Sequence, residues 1–198
     1  MKWIVGIDEV GRGPIAGPIT VGAVAIPARR AVWKYYKGLK DSKQLTQKQR
    51  EHWFEIMKRE KRKQYAIASV SAQQIDVLGI QRAGNLAAMR ALKKLKLQPS
   101  QCFVQLDYGL RVGEAWKQKA YIKGDERFPA VALASVCAKV SRDKYMVRMH
   151  EVYPSYNFAA NKGYGTAVHI ASLQVVGLSR VHRRSFCIHL LNDRQQKK

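Results

Sequence analysis

The sequence predicts an α/β domain whose sheet carries both antiparallel and parallel strand pairs. Three observations support this fold class. Short β-branched runs come first, helical patterns then alternate with further strands, and no internal repeat or composition break divides the 198 residues. That order of elements is typical of a mixed sheet flanked by helices. A chain of this length buries a sufficient core without disulfides or structural metals.

The predicted strands are runs of β-branched and apolar residues between glycine, proline and polar residues. The first two, residues 3–8 "WIVGID" and 20–26 "TVGAVAI", are joined by a loop rich in Gly and Pro. Three later runs have the same character and lie at 64–71, 101–107 and about 119–123.

The predicted helices follow apolar spacing and start signals. Capping boxes at Thr46 with Gln49 and at Ser71 with Gln74 open two of them. The predicted helices span about 47–62, about 72–96 with interruptions at Gly79 and Gly84, and 128–150 with Pro129 in the first turn. A last short helix is predicted to start after Thr166 and to stop near Gly177. The residues after that helix are expected to form a basic tail with a frayed end.

The charge of the chain points to a polyanionic partner. Thirty-six Lys and Arg against 14 Asp and Glu give a formal charge of +22. Such an excess creates a positive field that attracts nucleic acid. The alternative is a basic surface that serves only solvation.

The rest of the composition excludes several protein classes. No apolar run approaches the roughly 20 residues that span a bilayer, so we expect no membrane partner. The three cysteines show no CxxC spacing, which argues against a disulfide framework and a zinc site. We therefore expect a cytoplasmic protein.

Four carboxylates are the candidate catalytic residues. Asp8 and Glu9 end the first strand, Asp107 ends a later one, and Asp125 follows eighteen residues on. Crowded carboxylates lose their charge unless a cation joins them, and oxygen ligands favour Mg²⁺ or Mn²⁺. Two such ions could support phosphodiester hydrolysis. Alternatively, each acid caps a loop or pairs with a surface cation. Neighbours on a regular strand face opposite ways, so a shared site requires the strand to end or bulge at Asp8 and Glu9.

The four acids and the motifs around them resemble those of bacterial ribonuclease HII, a type 2 ribonuclease H. The segment "GIDEVGRGPIAGP" at 6–18 is similar to the N-terminal signature of that family. Further matches follow in order: "DSKQL" at 41–45, "LDYG" at 106–109, "KGD" at 123–125, "ASVCAKVSRD" at 134–143, "NKGYGT" at 161–166 with His169, and "HRRSF" at 182–186. Glu126 departs from the family, in which serine commonly follows "KGD".

The resemblance implies a ribonuclease H-like fold: a mixed sheet flanked by helices, with a helical C-terminal extension. It implies one catalytic domain over 1–198, with a core to about 150 and a helical segment and basic tail from about 151. The implied activity is metal-dependent hydrolysis of RNA in RNA/DNA hybrids and nicking 5′ to single ribonucleotides in duplex DNA. The products would carry 3′-hydroxyl and 5′-phosphate ends, and the role would be ribonucleotide removal from DNA.

The resemblance also assigns roles to residues. Asp8, Glu9, Asp107 and Asp125 match the metal-binding, catalytic carboxylates. Gly11, Arg12 and Gly13 match the loop that contacts the ribose 2′-hydroxyl and its phosphate. Tyr164 matches the tyrosine that helps to recognise the RNA-to-DNA junction. Five cations inside the matched motifs are candidate phosphate contacts: Lys43, Lys123, Lys139, Arg142 and Lys162. Without the surrounding motif, the glycines would indicate a tight turn, the tyrosine a packed loop and the cations a solvated surface. Ser42, Ser135 and His169 are expected to hold neighbouring groups.

Two alternatives stay open at this point. A basic nucleic-acid-binding module without catalysis would explain the charge but not four acids that a polyanion repels. Ribonuclease HIII would share the chemistry but carries an N-terminal substrate-binding domain, and we expect no such domain here because the first motif begins at residue 4. We expect a monomer that acts on RNA/DNA hybrid and ribonucleotide-containing duplex DNA. The sequence does not decide whether the tail binds a sliding clamp.

Overall fold

Five strands form one mixed sheet in the computed structural model, which describes residues 2–28, 36, 39, 42, 44–59 and 64–192. The order across the sheet is β3-β2-β1-β4-β5. The β1–β2 and β2–β3 pairs are antiparallel, and the β1–β4 and β4–β5 pairs are parallel. The predicted mixed sheet is confirmed. Its strands are β1 Trp3–Val10, β2 Ile19–Pro27, β3 Gln64–Val70, β4 Cys102–Asp107 and β5 Gln118–Tyr121.

Helices cover both faces of this sheet. The helices are α1 Gln47–Arg59, α2 Ala72–Leu78, α3 Ile80–Lys94, α4 Gly124–Arg127, α5 Pro129–Val152, α6 Phe158–Asn161, α7 Ala167–Val176 and α8 Arg184–Asn192. One core cluster joins α3 to the sheet, and a second joins α5 to the opposite face. Helix α5 packs very closely, because a Cβ on Gly6 or Gly22 would overlap its backbone at Ala130 or Ala134.

The candidate site follows from the parallel pairing of β1 and β4. Their last paired residues are Ile7 and Leu106. Parallel strands bring their carboxyl ends to the same edge of a sheet. The acids that follow these residues, Asp8 on β1 and Asp107 on β4, therefore lie at one edge.

The helical segment predicted at 72–96 is divided at only one of its two glycines. Gly79, at φ +75°, separates α2 from α3, and its N–H donates to the Ile75 carbonyl. Gly84 lies inside α3 without interrupting it. A Cβ there would lie 3.3 Å from a methyl group of Ile19 and 3.4 Å from one of Leu110. Gly84 thus serves close packing between helix and sheet.

No specific helix was predicted after Gly177, but the basic segment there contains one. Helix α8 occupies Arg184–Asn192. The carboxylate of Asp76 on α2 accepts from the backbone N–H groups of Arg184 (2.9 Å) and Ser185 (3.0 Å) and so caps the helix. The capping residue lies more than 100 positions away, which explains why no local signal indicated the helix.

Some predictions fall outside the described residues. These include Lys43 and the last residues of the tail, 193–198. Among the helices that the structure does describe, none is long and apolar enough to span a membrane.

Candidate metal centre and substrate loop

Three of the four candidate acids meet at the edge where β4 ends. One carboxylate oxygen each from Asp8, Glu9 and Asp107 lies within 4.8 Å of the others. Asp8 is 5% exposed, and the side chain of Glu9 is 6% exposed. An oxygen-only donor set of this kind suits a hard divalent cation.

The strand does not bulge or end at these acids, so that requirement was wrong. Asp8 pairs with Gly22 and Glu9 with Val21 in an unbroken antiparallel register. On one face of the sheet, Asp8 hydrogen-bonds Ser135 on α5. On the other face, Glu9 pairs with Arg12, and the Arg12 guanidinium also donates to Gln81 on α3. The two acids therefore lie on opposite faces and converge on Asp107, since β4 ends there and leaves the edge of β1 open.

Burial gives these acids unusual proton affinities. Desolvation, followed by the charge of Glu9, raises the pKa of Asp8 well above its usual range, although the Ser135 hydrogen bond opposes the shift. Desolvation raises the pKa of Glu9 to about 7 despite the opposing charge of Arg12. The Oε2 atom of Glu9 is buried without a hydrogen-bond partner among the described residues. A buried carboxylate oxygen without a donor fits a metal ligand.

Asp125 lies beside this group but outside the 4.8 Å cluster. It is in the first turn of α4 and is 9% exposed, and its charge contributes to the raised pKa of Asp8. The chain holds α4 in place through Asp107, whose Oδ1 accepts from the backbone N–H of Gly124 at 3.0 Å. The additional acid, Glu126, pairs with Lys123 at 3.1 Å, which offsets its charge.

The loop after β1 lies next to the acids. Gly11 adopts φ +94°, a conformation that favours glycine. Arg12 is 3.3 Å from Glu9 and 2.8 Å from Gln81, and these bonds engage two of the five N–H donors of its guanidinium. Gly13 is exposed, and the nearest atom to a Cβ placed there is Cε1 of Tyr164, at 4.0 Å. The structure thus brings Tyr164 to the exposed side of the predicted substrate loop.

Tyr164 is presented by a firmly held segment. Its side chain is 45% exposed, while its carbonyl is 2.8 Å from Nδ1 of the buried His169. The Nε2 atoms of His169 and His182 are 3.0 Å apart, and Nδ1 of His182 accepts from the Ser179 N–H. Burial lowers the pKa of His182 to about 4, so the pair is neutral at pH 7. Hydrogen bonds thus fix the backbone of Tyr164 and leave its ring exposed.

The remaining predicted residues have the following positions. Ser42 and Ser135 share a buried hydrogen bond of 2.7 Å, as expected for residues that hold neighbours. Lys139 pairs with Asp143 at 2.9 Å, and Lys162 donates to the carbonyl of Ala159.

Arg142 is not available for a direct contact with a substrate phosphate. It is 1% exposed, and its guanidinium donates to backbone carbonyls. The expectation of a direct phosphate contact by Arg142 was therefore wrong.

Arg183 is the residue that sequence reasoning missed. It is fully buried, and its guanidinium donates to the carbonyls of Gly11, Arg12 and Gly17. The motif "HRRSF" contained it, but nothing local showed which of two adjacent arginines points inward.

The metal-free protein should gain stability when Glu9 becomes glutamine. The folded-state pKa of about 7 exceeds the ordinary 4.5, so ionising Glu9 costs the folded state free energy as pH rises between these values. At pH 8, Glu9→Gln should raise Tm in chelator by ~4–8 °C, corresponding to roughly 2 kcal/mol. The gain should vanish near pH 4, where Glu9 is protonated in both states.

Differential scanning calorimetry at pH 8 and pH 4 would measure this effect. Glu114→Gln is the matched control, because Glu114 is 93% exposed in its pair with Arg111. If Glu9→Gln were no more stable than wild type at pH 8, the inference that the ionised Glu9 carboxylate destabilises the metal-free folded state would be contradicted.

Comparison with known families and sequences gives a consistent result. A family model described as Ribonuclease HII matches residues 5–189. A ribonuclease HII of Caldicellulosiruptor bescii is 40% identical over 192 residues, which cover 96% of this chain and 89% of that protein.

Solved structures with the same fold include three informative neighbours. Ribonuclease H2 of Pyrococcus horikoshii superposes with a TM-score of 0.77 at 24% identity, covering 99% of this chain and 100% of that one. RNase HII of Archaeoglobus fulgidus, solved as a complex with PCNA, gives 0.70 at 26% identity, with coverage of 91% and 93%. Bst-RNase HIII, solved with Mn²⁺, gives 0.72 at 19% identity, with coverage of 97% and 71%.

Proposed function

Since the chain belongs to the ribonuclease HII family and is an endoribonuclease acting on RNA/DNA hybrids, we propose that it nicks duplex DNA 5′ to single embedded ribonucleotides. The proposed products carry 3′-hydroxyl and 5′-phosphate ends, and the proposed role is ribonucleotide removal from DNA. The observation that supports this most is the proximity of Asp8, Glu9 and Asp107 to the Gly11–Gly13 loop.

The carboxylates would hold divalent metal. Asp8, Glu9 and Asp107 offer oxygens within 4.8 Å of one another, and we propose Asp125 as a fourth ligand residue at the same site. Bound by these oxygens, a divalent ion would supply an activated water and would stabilise the leaving oxygen in phosphodiester hydrolysis. The family is divalent-metal dependent, and we propose Mg²⁺ or Mn²⁺ as the ion.

The chain's own groups prepare this chemistry. Ser135 hydrogen-bonds Asp8 and favours its ionised form, the form that binds a cation. The Gly124 N–H orients Asp107. Arg12 balances the charge of Glu9 and retains donors for a phosphate of the bound strand. These contacts hold the acids ready for a metal and a phosphate.

The loop of Gly11, Arg12 and Gly13 would supply the choice of sugar. The 2′-hydroxyl alone separates ribose from deoxyribose at a given position, and it both donates and accepts hydrogen bonds. Gly13 carries no side chain that would keep a sugar away from the backbone. We propose that this loop contacts the ribose 2′-hydroxyl and its phosphate and that the ring of Tyr164 packs on the neighbouring sugar.

Tyr164→Ala should reduce cleavage at a single ribonucleotide by roughly tenfold. The exposed ring lies beside Gly13, and loss of a stacking contact costs about 1–3 kcal/mol. Single-turnover rates on a duplex with one ribonucleotide would measure the change. Tyr164→Phe is the matched control, because it keeps the ring and should retain most of the rate. Wild-type cleavage by the alanine variant would remove Tyr164 from the proposed site.

The function itself is tested with a labelled duplex that contains one ribonucleotide. We expect a single nick 5′ to that residue with Mg²⁺ or Mn²⁺, no nick with chelator, and no cleavage of the matching all-DNA duplex. Extension of the upstream fragment by a polymerase would show the 3′-hydroxyl, and ligation of the downstream fragment would show the 5′-phosphate. Cleavage that ignores metal, or that ignores the ribonucleotide, would contradict the proposal.

We propose that residues 1–198 form one catalytic domain that works as a cytoplasmic monomer, and that Lys43 contacts the substrate backbone. The complex of the Archaeoglobus fulgidus relative with PCNA supports a test for a sliding-clamp partner. Gel filtration with and without a clamp protein would address both assembly questions.

A further inference from the structure

Two buried guanidinium groups lie beneath the substrate loop. Arg142 on α5 is 1% exposed, and Arg183, directly before α8, is fully buried. In the part of the chain that the structure describes, neither forms an ion pair with a carboxylate. Buried cations are ordinarily paired, so two unpaired ones at the same loop need an explanation.

Both side chains are occupied with backbone carbonyls. Arg142 donates to Ala16 (3.1 Å), Pro18 (3.0 Å) and Lys162 (2.9 Å). Arg183 donates to Gly17 (2.9 Å), Arg12 (2.9 Å) and Gly11. Five of these six carbonyls belong to residues 11–18. The planar guanidinium forks therefore hold five carbonyl groups, from both ends of the loop, on its inner side.

The N–H groups at the tip of the loop are unengaged. Among the described residues, the backbone N–H groups of Gly11, Arg12 and Gly13 donate to no protein acceptor. Farther along the loop, the N–H groups of Ile15, Ala16 and Gly17 do have protein partners. The loop is thus polarised: its carbonyls are bound from beneath, and the donors nearest the carboxylates have no protein acceptor.

The glycine at the start of the loop makes this arrangement possible. A Cβ on Gly11 would overlap Nε of Arg142 and lie 2.8 Å from the carbonyl oxygen of Pro18. Burial lowers the pKa of Arg183 to about 9, with the nearby charge of Arg142 adding to the effect and the charge of Asp76 opposing it, so Arg183 is still charged at pH 7. Two like charges are thus held together under one loop, which favours an anion above it.

We propose that Arg142 and Arg183 are positioning residues that orient the Gly11–Gly13 loop for a ribonucleotide and draw its phosphate towards the loop with their unpaired charge. The inference rests on the proposed function, since it concerns how that substrate is selected. Lysine at position 183 would keep the charge, but an ammonium group cannot reproduce the planar fork that serves three carbonyls.

The test separates substrate selection from general stability. We would measure KM for a duplex with one ribonucleotide and the inhibition constant Ki of the matching all-DNA duplex, both with Mg²⁺. For Arg183→Lys we expect KM to rise at least tenfold and Ki to change less than about twofold. A merely structural defect would reduce the active fraction and lower kcat, leaving KM and the ratio Ki/KM unchanged.

Lys94→Gln is the matched control. Lys94 donates to the carbonyl of Ile67 at 2.8 Å from the last turn of α3, away from the loop. Removing that charge and bond should leave the ratio Ki/KM at its wild-type value.

The outcomes distinguish the two proposals. A wild-type enzyme that does not cleave the ribonucleotide duplex overturns the proposed function and this inference with it. A wild-type enzyme that cleaves it, combined with an Arg183→Lys enzyme that keeps the wild-type ratio, overturns this inference alone.

A measurement on the wild-type protein covers the case in which Arg183→Lys does not fold. The Nε–H resonances of buried arginines exchange slowly and can be followed by NMR. Those of Arg142 and Arg183 should shift when the ribonucleotide duplex binds and shift less with the all-DNA duplex. Identical shifts with both duplexes would overturn the inference.

Discussion

Asp107→Asn is expected to reduce cleavage of a single-ribonucleotide duplex by at least about a thousandfold. Asp107 is the common neighbour of Asp8 and Glu9, and loss of its charge removes one oxygen ligand from the cluster. Transition-state stabilisation by a metal is worth several kcal/mol, and each 1.36 kcal/mol is about tenfold in rate. Binding of an RNA/DNA hybrid should change little, because the basic surface remains. Single-turnover kinetics and fluorescence anisotropy would measure the two effects.

Asp143→Asn provides the control for removal of an acid outside the carboxylate cluster. Asp143 lies on α5 and pairs with Lys139, away from the carboxylate cluster. It should cleave at a rate near that of wild type. If Asp107→Asn kept more than about a tenth of wild-type activity, the cluster could not be the catalytic centre.

Gly11→Ala is expected to reduce kcat/KM by ~100-fold and to lower Tm. The backbone at Gly11 has φ +94°, which costs an L-residue roughly 1–2 kcal/mol. The added methyl group would also press on the buried Arg142 and on the carbonyl of Pro18 at 2.8 Å. The guanidinium or the loop must then move, and with it the neighbouring Arg12. Steady-state kinetics and thermal denaturation would measure both losses.

Gly177→Ala separates backbone strain from the clash. Gly177 has φ +84°, but a Cβ there meets nothing within 4 Å. This variant should therefore lose stability through strain alone and keep its activity. Equal losses of activity in the two variants would show that packing around Gly11 has no special importance for catalysis.

The sequence predicted the sheet well because its signals are local. Runs of β-branched, aromatic and other apolar residues at 3–8, 20–26, 64–71, 101–107 and about 119–123 overlap all five strands, and the alternation of strands and helices indicates the mixed pairing. Helix α8 escaped prediction because its cap, Asp76, comes from α2. Gly84 looked like a helix break because packing against Ile19 and Leu110 is a tertiary property.

The candidate site was predictable where side chains carry the chemistry. Asp8, Glu9 and Asp107 could be identified from strand ends and from motif resemblance. The requirement for a bulge failed because alternation constrains the direction of a side chain but not its reach at an open sheet edge. Asp8 and Glu9 approach Asp107 from opposite faces because β4 ends beside them. The position of that end relative to β1 cannot be predicted from the sequence of β1 alone.

Residues that act through the backbone were the hardest to predict. Arg142 looked like a surface cation, and Arg183 stood beside a second arginine in the same motif. Their partners are carbonyl groups, which every residue possesses, so no partner type could be read from the sequence. Only the folded chain shows that both guanidiniums lie under residues 11–18.

The most direct measurement is an anomalous difference map from crystals soaked in Mn²⁺. We expect Mn²⁺ bound by oxygens of Asp8, Glu9 and Asp107 at about 2.0–2.2 Å, the range of small divalent ions with carboxylates. The same soak of Asp107→Asn crystals should show a much weaker peak. Strong Mn²⁺ density elsewhere, with none at the edge where β4 ends, would contradict the central claim that these acids form the metal centre.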